Sequence, residues 1–152
     1  MKVFWVSKRL AFGSAINTWQ QLEQLQSLGV THVINLRHGK HGKKVRQFKS
    51  LWLPFRDDGK SRPRWFYREA LRFYKRAMHK PNTKVFLMCH HGLSRSPSLA
   101  YFLLRGASGF THSRAQKVVL RVRPRAIIAR GYREGGEIFL ALEWAKKKYG
   151  EN

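Results

Sequence analysis

Cysteine is nearly absent from this chain. One thiol, Cys89, stands in 152 residues, so no disulfide can form within the chain, and such usage fits a reducing, cytoplasmic compartment. Carboxylates are also scarce, with eight Asp and Glu against 31 Lys and Arg, and aspartate occurs only at Asp57 and Asp58. The seven histidines are scattered, with no Cys or carboxylate partners at ligand spacing, so no metal set is expected and no cofactor is implied. No apolar run approaches the length of a membrane span. Lys8 and Arg9 interrupt the N-terminal apolar stretch too early for a signal peptide. Internal repeats and low-complexity segments are missing too.

What remains is a folded protein. A hydrophobic fraction of 43% and an aromatic fraction of 13% exclude a disordered chain, and the length suits one domain over residues 1–152. The net charge of +23 is too large for solvation alone and implies anionic partners: phosphoproteins, nucleic acid or another polyanion.

A lone cysteine is most often a small buried hydrophobe. The surroundings of Cys89 point elsewhere. "KVFLM" is a short apolar run that reads as a buried strand, and "RSPSLAYFLLRGA" reads as a helix with Ser96 as its cap, Pro97 in its first turn, and Leu99, Phe102 and Leu103 on one face. Between them lie His90, His91, Gly92, Leu93 and Ser94, followed by Arg95. Strand, tight loop and helix N-terminus form an anion cradle of backbone N–H groups and helix dipole. Gly92 supplies the backbone freedom, and Arg95 a guanidinium fork for two phosphate oxygens. A cysteine at the floor of that cradle is favoured as a thiolate, placed to attack a bound phosphate. Ser96 is positioned to hydrogen-bond the sulfur when it leaves.

Elsewhere, strands and helices alternate. Residues 2–7 read as a first strand, and Thr18 and Gln21 as a capping box opening a helix that Gly29 ends. "THVINL" and "SLWLPF" read as strands separated by a basic loop over 38–50. The segment 62–80 reads as a helix whose apolar face is Trp65, Phe66, Leu71, Phe73, Tyr74 and Met78. Helical patterns near 96–105, 111–122 and 132–148 complete an α/β domain with a central, mostly parallel sheet flanked by helices. Asp57 and Asp58, adjacent in "LPFRDDGKSRP", read equally well as turn residues or as a general acid.

"CHHGLSRS" resembles the Cys-x-x-Gly-x-x-Arg-Ser/Thr signature of the cysteine-dependent phosphatases, in particular the small (atypical) dual-specificity phosphatases. "LGVTHVINLR", "LWLPFRDD" and "AQKVVLRVRPRA" extend the likeness over most of the chain. The resemblance implies a dual-specificity phosphatase-like fold and a phosphomonoesterase. It would act on phosphotyrosine and on phosphoserine/threonine through a cysteinyl-phosphate. It also implies that Asp57 is the general acid, with Asp58 as the alternative. Residues 90–95 would be the phosphate-binding loop. Met88 departs from the pattern, in which a histidine precedes the cysteine.

Four basic clusters stand out: 39–49, Lys60/Arg62/Arg64, Arg121–Arg125 and Lys146–Lys148. They keep other readings open. An RNA 5′-polyphosphatase shares His91-Gly92-Leu93 but not Ser96-Pro97. A phosphoinositide phosphatase would use basic loops around its pocket. A non-catalytic polyanion-binding module would need only the anion socket.

Overall fold

The computed structural model describes residues 1–150. Its centre is a five-stranded sheet in the order β1-β2-β5-β3-β4, where β1 is Val3–Trp5, β2 Leu10–Gly13, β3 His32–Asn35, β4 Lys49–Trp52 and β5 Val85–Met88. Only β1 runs antiparallel, pairing Phe4 with Phe12; the other neighbours are parallel. β5 is therefore the middle strand, flanked by β2 and β3, and its side chains are buried on both faces.

The two-residue period of the strands sorts the core into two layers. Leu10, Phe12, Ile34, Val85, Leu87 and Cys89 face α2 (Arg64–His79), α3 (Arg95–Gly106), α4 (His112–Val122) and α5 (Arg130–Tyr149). Ala11, Val33, Phe86 and Met88 face α1 (Trp19–Ser27) on the other side. Successive residues Met88 and Cys89 thus belong to opposite faces of the sheet. Thr18 caps α1 in a full capping box, accepting from the Gln21 N–H at 3.1 Å while Gln21 Oε1 accepts from the Thr18 N–H at 3.2 Å. On the helical layer, Arg105 grips Glu137 through Nε and Nη2 at 2.8 and 2.6 Å, joining α3 to α5.

The mostly parallel α/β architecture is the one the alternation of elements implies. Five local readings change. The first strand covers Val3–Trp5 only, and the sheet takes a second strand, Leu10–Gly13, from a segment too short to show a period. The strand before the aspartates spans Lys49–Trp52, one residue earlier than "SLWLPF", and ends before Pro54. α3 starts at Arg95 with Ser94 in the cap position, so Ser96 is inside the first turn and does not cap. Instead of one apolar face, α3 is buried on all sides from Ser96 to Leu104, because the sheet and three helices surround it. In α2, Trp65 is turned outward at 49% exposure, and Tyr67, Ala70 and Ala77 take the buried positions.

Candidate active site

β5 ends at Met88, and the chain then turns through residues 89–94 into α3, at the C-terminal edge of the parallel strands. This is where open α/β sheets leave a crevice for ligands. Cys89 is 2% exposed. Its sulfur accepts from the Gly92 N–H at 3.2 Å and the Ser96 N–H at 3.4 Å, while the thiol donates to Ser96 Oγ at 3.3 Å. Ser96 Oγ donates onward to the Gly13 carbonyl at 3.3 Å. One loop amide, one amide of the first turn of α3 and a hydroxyl thus converge on one sulfur.

The loop around it is held by residues distant in sequence. The Cys89 N–H donates to the Gly13 carbonyl at 3.4 Å, the Ala15 N–H to the His90 carbonyl at 3.3 Å, and the Ile127 N–H to the Leu93 carbonyl at 2.8 Å. Arg123, just beyond α4, donates from Nη1 to the carbonyls of His91 and Gly92 at 3.0 and 2.6 Å. Drawing carbonyls outward leaves the opposite ends of the peptide units, the N–H groups, to face inward. Gly92 sits at φ +67°, and a Cβ there would collide with the Gly13 backbone at 2.6 Å. Only glycine fits.

Arg95 is half-buried. Its Nη1 donates to the carbonyls of Leu36 at 3.3 Å and Phe55 at 3.0 Å, anchoring the guanidinium to the ends of two strands' extensions. Its Nε is buried with no hydrogen-bond partner. A buried guanidinium N–H left without an acceptor is costly unless a ligand supplies one. The side chain is thus held at one end while offering a donor to an anion.

His90 and His91 are exposed, with ring centroids 4.1 Å apart. The neighbouring His91, then a slight desolvation and the charges of Arg37 and Arg95, hold the His90 ring below the usual histidine range. Leu93 and Ser94 are half-buried. All of the residues 89–96 singled out in the sequence therefore meet at one place.

The two aspartates part company. Asp58 is committed to a turn: its Oδ1 accepts from the Lys60 N–H at 2.9 Å and from Arg62 Nη2 at 2.7 Å. The Lys60 amide and the Arg62 charge hold its carboxyl below the ordinary range. Asp57 makes no such bonds among the described residues and lines a narrow cleft with Phe55, Lys60, Ser94, Arg95 and Tyr132. The loop carrying both is docked against α5. The Arg62 N–H donates to Tyr67 Oη at 3.1 Å, which donates to the Tyr132 carbonyl at 2.8 Å. Gly131 and Gly135 leave room for it, since a Cβ on either would strike the backbone of Gly59 or the Ser61 hydroxyl.

Two basic clusters change meaning here. Arg62, one of the basic cluster Lys60/Arg62/Arg64, is spent on Asp58 and lies over the Phe55 ring at 4.8 Å. Arg123, part of the Arg121–Arg125 run, holds the signature loop and stacks on Phe4 at 4.6 Å. Sequence reasoning missed Gly13, Arg123, Gly131 and Gly135 as site-building residues. The glycines and the Arg-Pro step were visible, but nothing local marks what they touch. Among the described residues no cluster of His, Cys, Asp or Glu is arranged to hold a metal, and no helix is long and apolar enough to cross a membrane.

A strand-to-helix turn with cysteine at its base and arginine at its end, on a mostly parallel sheet, defines the cysteine-dependent phosphatase class. A model of the dual specificity phosphatase catalytic domain matches residues 12–133, and the chain belongs to that family. Among solved structures, it is similar to human DUSP28 at 21% identity, over 94% of this chain and 95% of that one, with a TM-score of 0.80. A mouse putative dual specificity phosphatase is similar at 20% identity over 97% and 90%, with a TM-score of 0.81. PTPMT1, solved in complex with PI(5)P, is similar at 14% identity over 93% and 96%, with a TM-score of 0.80.

Proposed function

We propose that the chain is a cysteine-dependent phosphatase that hydrolyses phosphotyrosine and phosphoserine/threonine in proteins through a cysteinyl-phosphate. The observation that carries this is the convergence on Cys89 Sγ of the Gly92 and Ser96 amides beside an Arg95 with an unused buried Nε. A phosphate dianion seated there completes the hydrogen bonding of the loop and of Arg95.

In the first step the Cys89 thiolate attacks phosphorus, the bond to the substrate oxygen breaks, and Asp57 gives its proton to that oxygen. The loop amides and Arg95 take the charge that gathers on the equatorial oxygens. In the second step water attacks phosphorus, Asp57 takes a proton from it, and the S–P bond breaks. The Ser96 hydroxyl, within 3.3 Å of the sulfur, turns to donate to the departing thiolate. Asp57 is assigned over Asp58 because it lines the Arg95 cleft while Asp58 is held in its turn by Lys60 and Arg62. A single free thiol, Cys89, suits a reducing compartment as the working place.

The charge of +23 favours a second reading, hydrolysis of phosphoinositides, the class of ligand that PTPMT1 was solved with. Phosphate release from a phosphotyrosine peptide, a phosphoserine peptide, a phosphoinositide vesicle and a 5′-triphosphorylated RNA separates the readings. Peptide turnover that disappears in Cys89→Ser is the expected result. Preferred turnover of vesicle or RNA, or peptide turnover that survives Cys89→Ser, overturns the assignment.

A further inference from the structure

On the α1 face of the sheet, beside the end of β5 that leads into the signature loop, lies a cavity of about 260 Å³ that the two-step chemistry does not use. Met88 belongs to its lining, and Arg37, Lys40, Lys43 and Lys44 border it together with Asn17. None of the four cations is paired with a carboxylate among the described residues. Crowding four unneutralised cations around one concavity costs free energy unless an anion enters.

The cavity is built rather than incidental. Asn35, fully buried, accepts from the Arg37 N–H through Oδ1 at 2.8 Å and donates through Nδ2 to the Lys40 carbonyl at 3.3 Å and to His41 Nδ1 at 3.2 Å. An amide donor on Nδ1 places the imidazole proton on Nε2, which donates to Ser50 Oγ at 2.9 Å. Trp52 stacks on His41 and donates from Nε1 to the Arg37 carbonyl at 3.0 Å. The cations thus stand on a fixed loop.

Its location ties it to the reacting phosphate. Three chain segments that line the cavity also touch the signature loop. Met88 precedes Cys89, the Leu36 carbonyl next to Arg37 accepts from Arg95, and Ala15, just before Ile16 and Asn17, bonds the His90 carbonyl. The surface beside it is apolar as well as basic: Trp52 is 40% exposed, and Trp19, 54% exposed, carries Lys44 over its ring at 5.1 Å. Indole faces of that size suit a polypeptide, which brings side chains to cover them, better than a small hydrophilic headgroup.

We propose that this cavity is a specificity subsite for a second anionic group, phosphoryl or carboxylate, on the polypeptide next to the residue being dephosphorylated. Arg37, Lys40, Lys43 and Lys44 read its charge, and Trp19 and Trp52 cover the chain between the two anions. The inference rests on the phosphatase reading of Cys89 and narrows its substrates to acidic or multiply phosphorylated segments.

Three phosphotyrosine peptides test it, identical except that the flanking positions carry alanine, glutamate or phosphoserine. In the wild type, kcat/KM rises from alanine to glutamate to phosphoserine, with about tenfold or more between the extremes. In Lys40→Ala/Lys43→Ala the span narrows severalfold. In Lys147→Ala/Lys148→Ala, which removes equal charge from the last turn of α5, it stays as in the wild type. Equal turnover of the three peptides, or equal narrowing in the α5 variant, overturns the subsite. A soluble inositol polyphosphate or a 5′-triphosphorylated RNA turned over faster than all three overturns the polypeptide as its source. Loss of the underlying reading looks different: then p-nitrophenyl phosphate itself is not hydrolysed, and both inferences fall together.

Discussion

Two loops meet over Arg95, and they are held in different ways. The signature loop, residues 89–95, is fixed from behind through its backbone: Gly13, Ala15, Ile127 and Arg123 take or give its hydrogen bonds. The aspartate loop, residues 56–62, has side-chain anchors instead, with Asp58 folded onto Arg62 and the Arg62 amide resting on Tyr67. In the proposed mechanism the first loop holds amides still around a charge that develops in one place, which requires preorganisation. The second would deliver a proton to the leaving oxygen and take one from water, and its Asp57 is exposed and makes no side-chain hydrogen bond among the described residues. The proposal thus sets rigidity with the nucleophile and freedom with the acid.

The comparison breaks most sharply at the two aspartates. Asp57→Asn should lower kcat on a phosphotyrosine peptide by about 10²–10⁴-fold, the usual contribution of a positioned acid. Gly92→Ala comes next. Its Cβ meets the Gly13 backbone at positive φ, so we expect a loss of about 1–3 kcal/mol in denaturant unfolding. A fall of about 10²-fold in kcat/KM follows as the loop shifts. Gly135→Ala pushes on Ser61 and on the Tyr67 hydroxyl that anchors the aspartate loop, which predicts about a tenfold drop in kcat with inorganic phosphate inhibition unchanged. Asp58→Asn, which loosens an exposed ion pair, should change kcat less than about fivefold.

The smallest effect concerns pH. Burial, then the charge of Arg46, holds His41 below its ordinary value of 6.5. The unfolded chain takes up that proton first, so stability falls as pH drops below about 6.5 and the loss levels off below the folded pKa. Thermal unfolding between pH 7 and 5 should therefore slope less in His41→Asn than in the wild type.

How much of this could be read from the residues alone depends on distance along the chain. The strand, turn and helix around Cys89 are contiguous, so residue type and spacing reveal them. Asp57 against Asp58 could not be decided locally, because what separates them is Arg62 turning back on one and the cleft wall beside the other. β2 went unread because four residues, Leu10–Gly13, carry no measurable period, yet they occupy the strand beside β5 and supply the Gly13 carbonyl. Arg123 looked like one cation among many. Only folding brings it 2.6 Å from the Gly92 carbonyl. Gly131 and Gly135 weaken a helix by themselves, and their use appears only once another loop lies across them.

The central claim is that phosphate passes through the sulfur of Cys89, and trapping that species tests it directly. p-Nitrophenyl phosphate has a leaving group that needs little protonation, so Asp57→Asn should still complete the first step while lacking the base for the second. Rapid acid quench followed by peptide mass spectrometry should then find one phosphoryl group on the peptide containing Cys89, localised to the sulfur. A phosphoryl group on His90 or His91 would contradict the account, as would steady turnover with no phosphoenzyme in a protein lacking the Cys89 thiol.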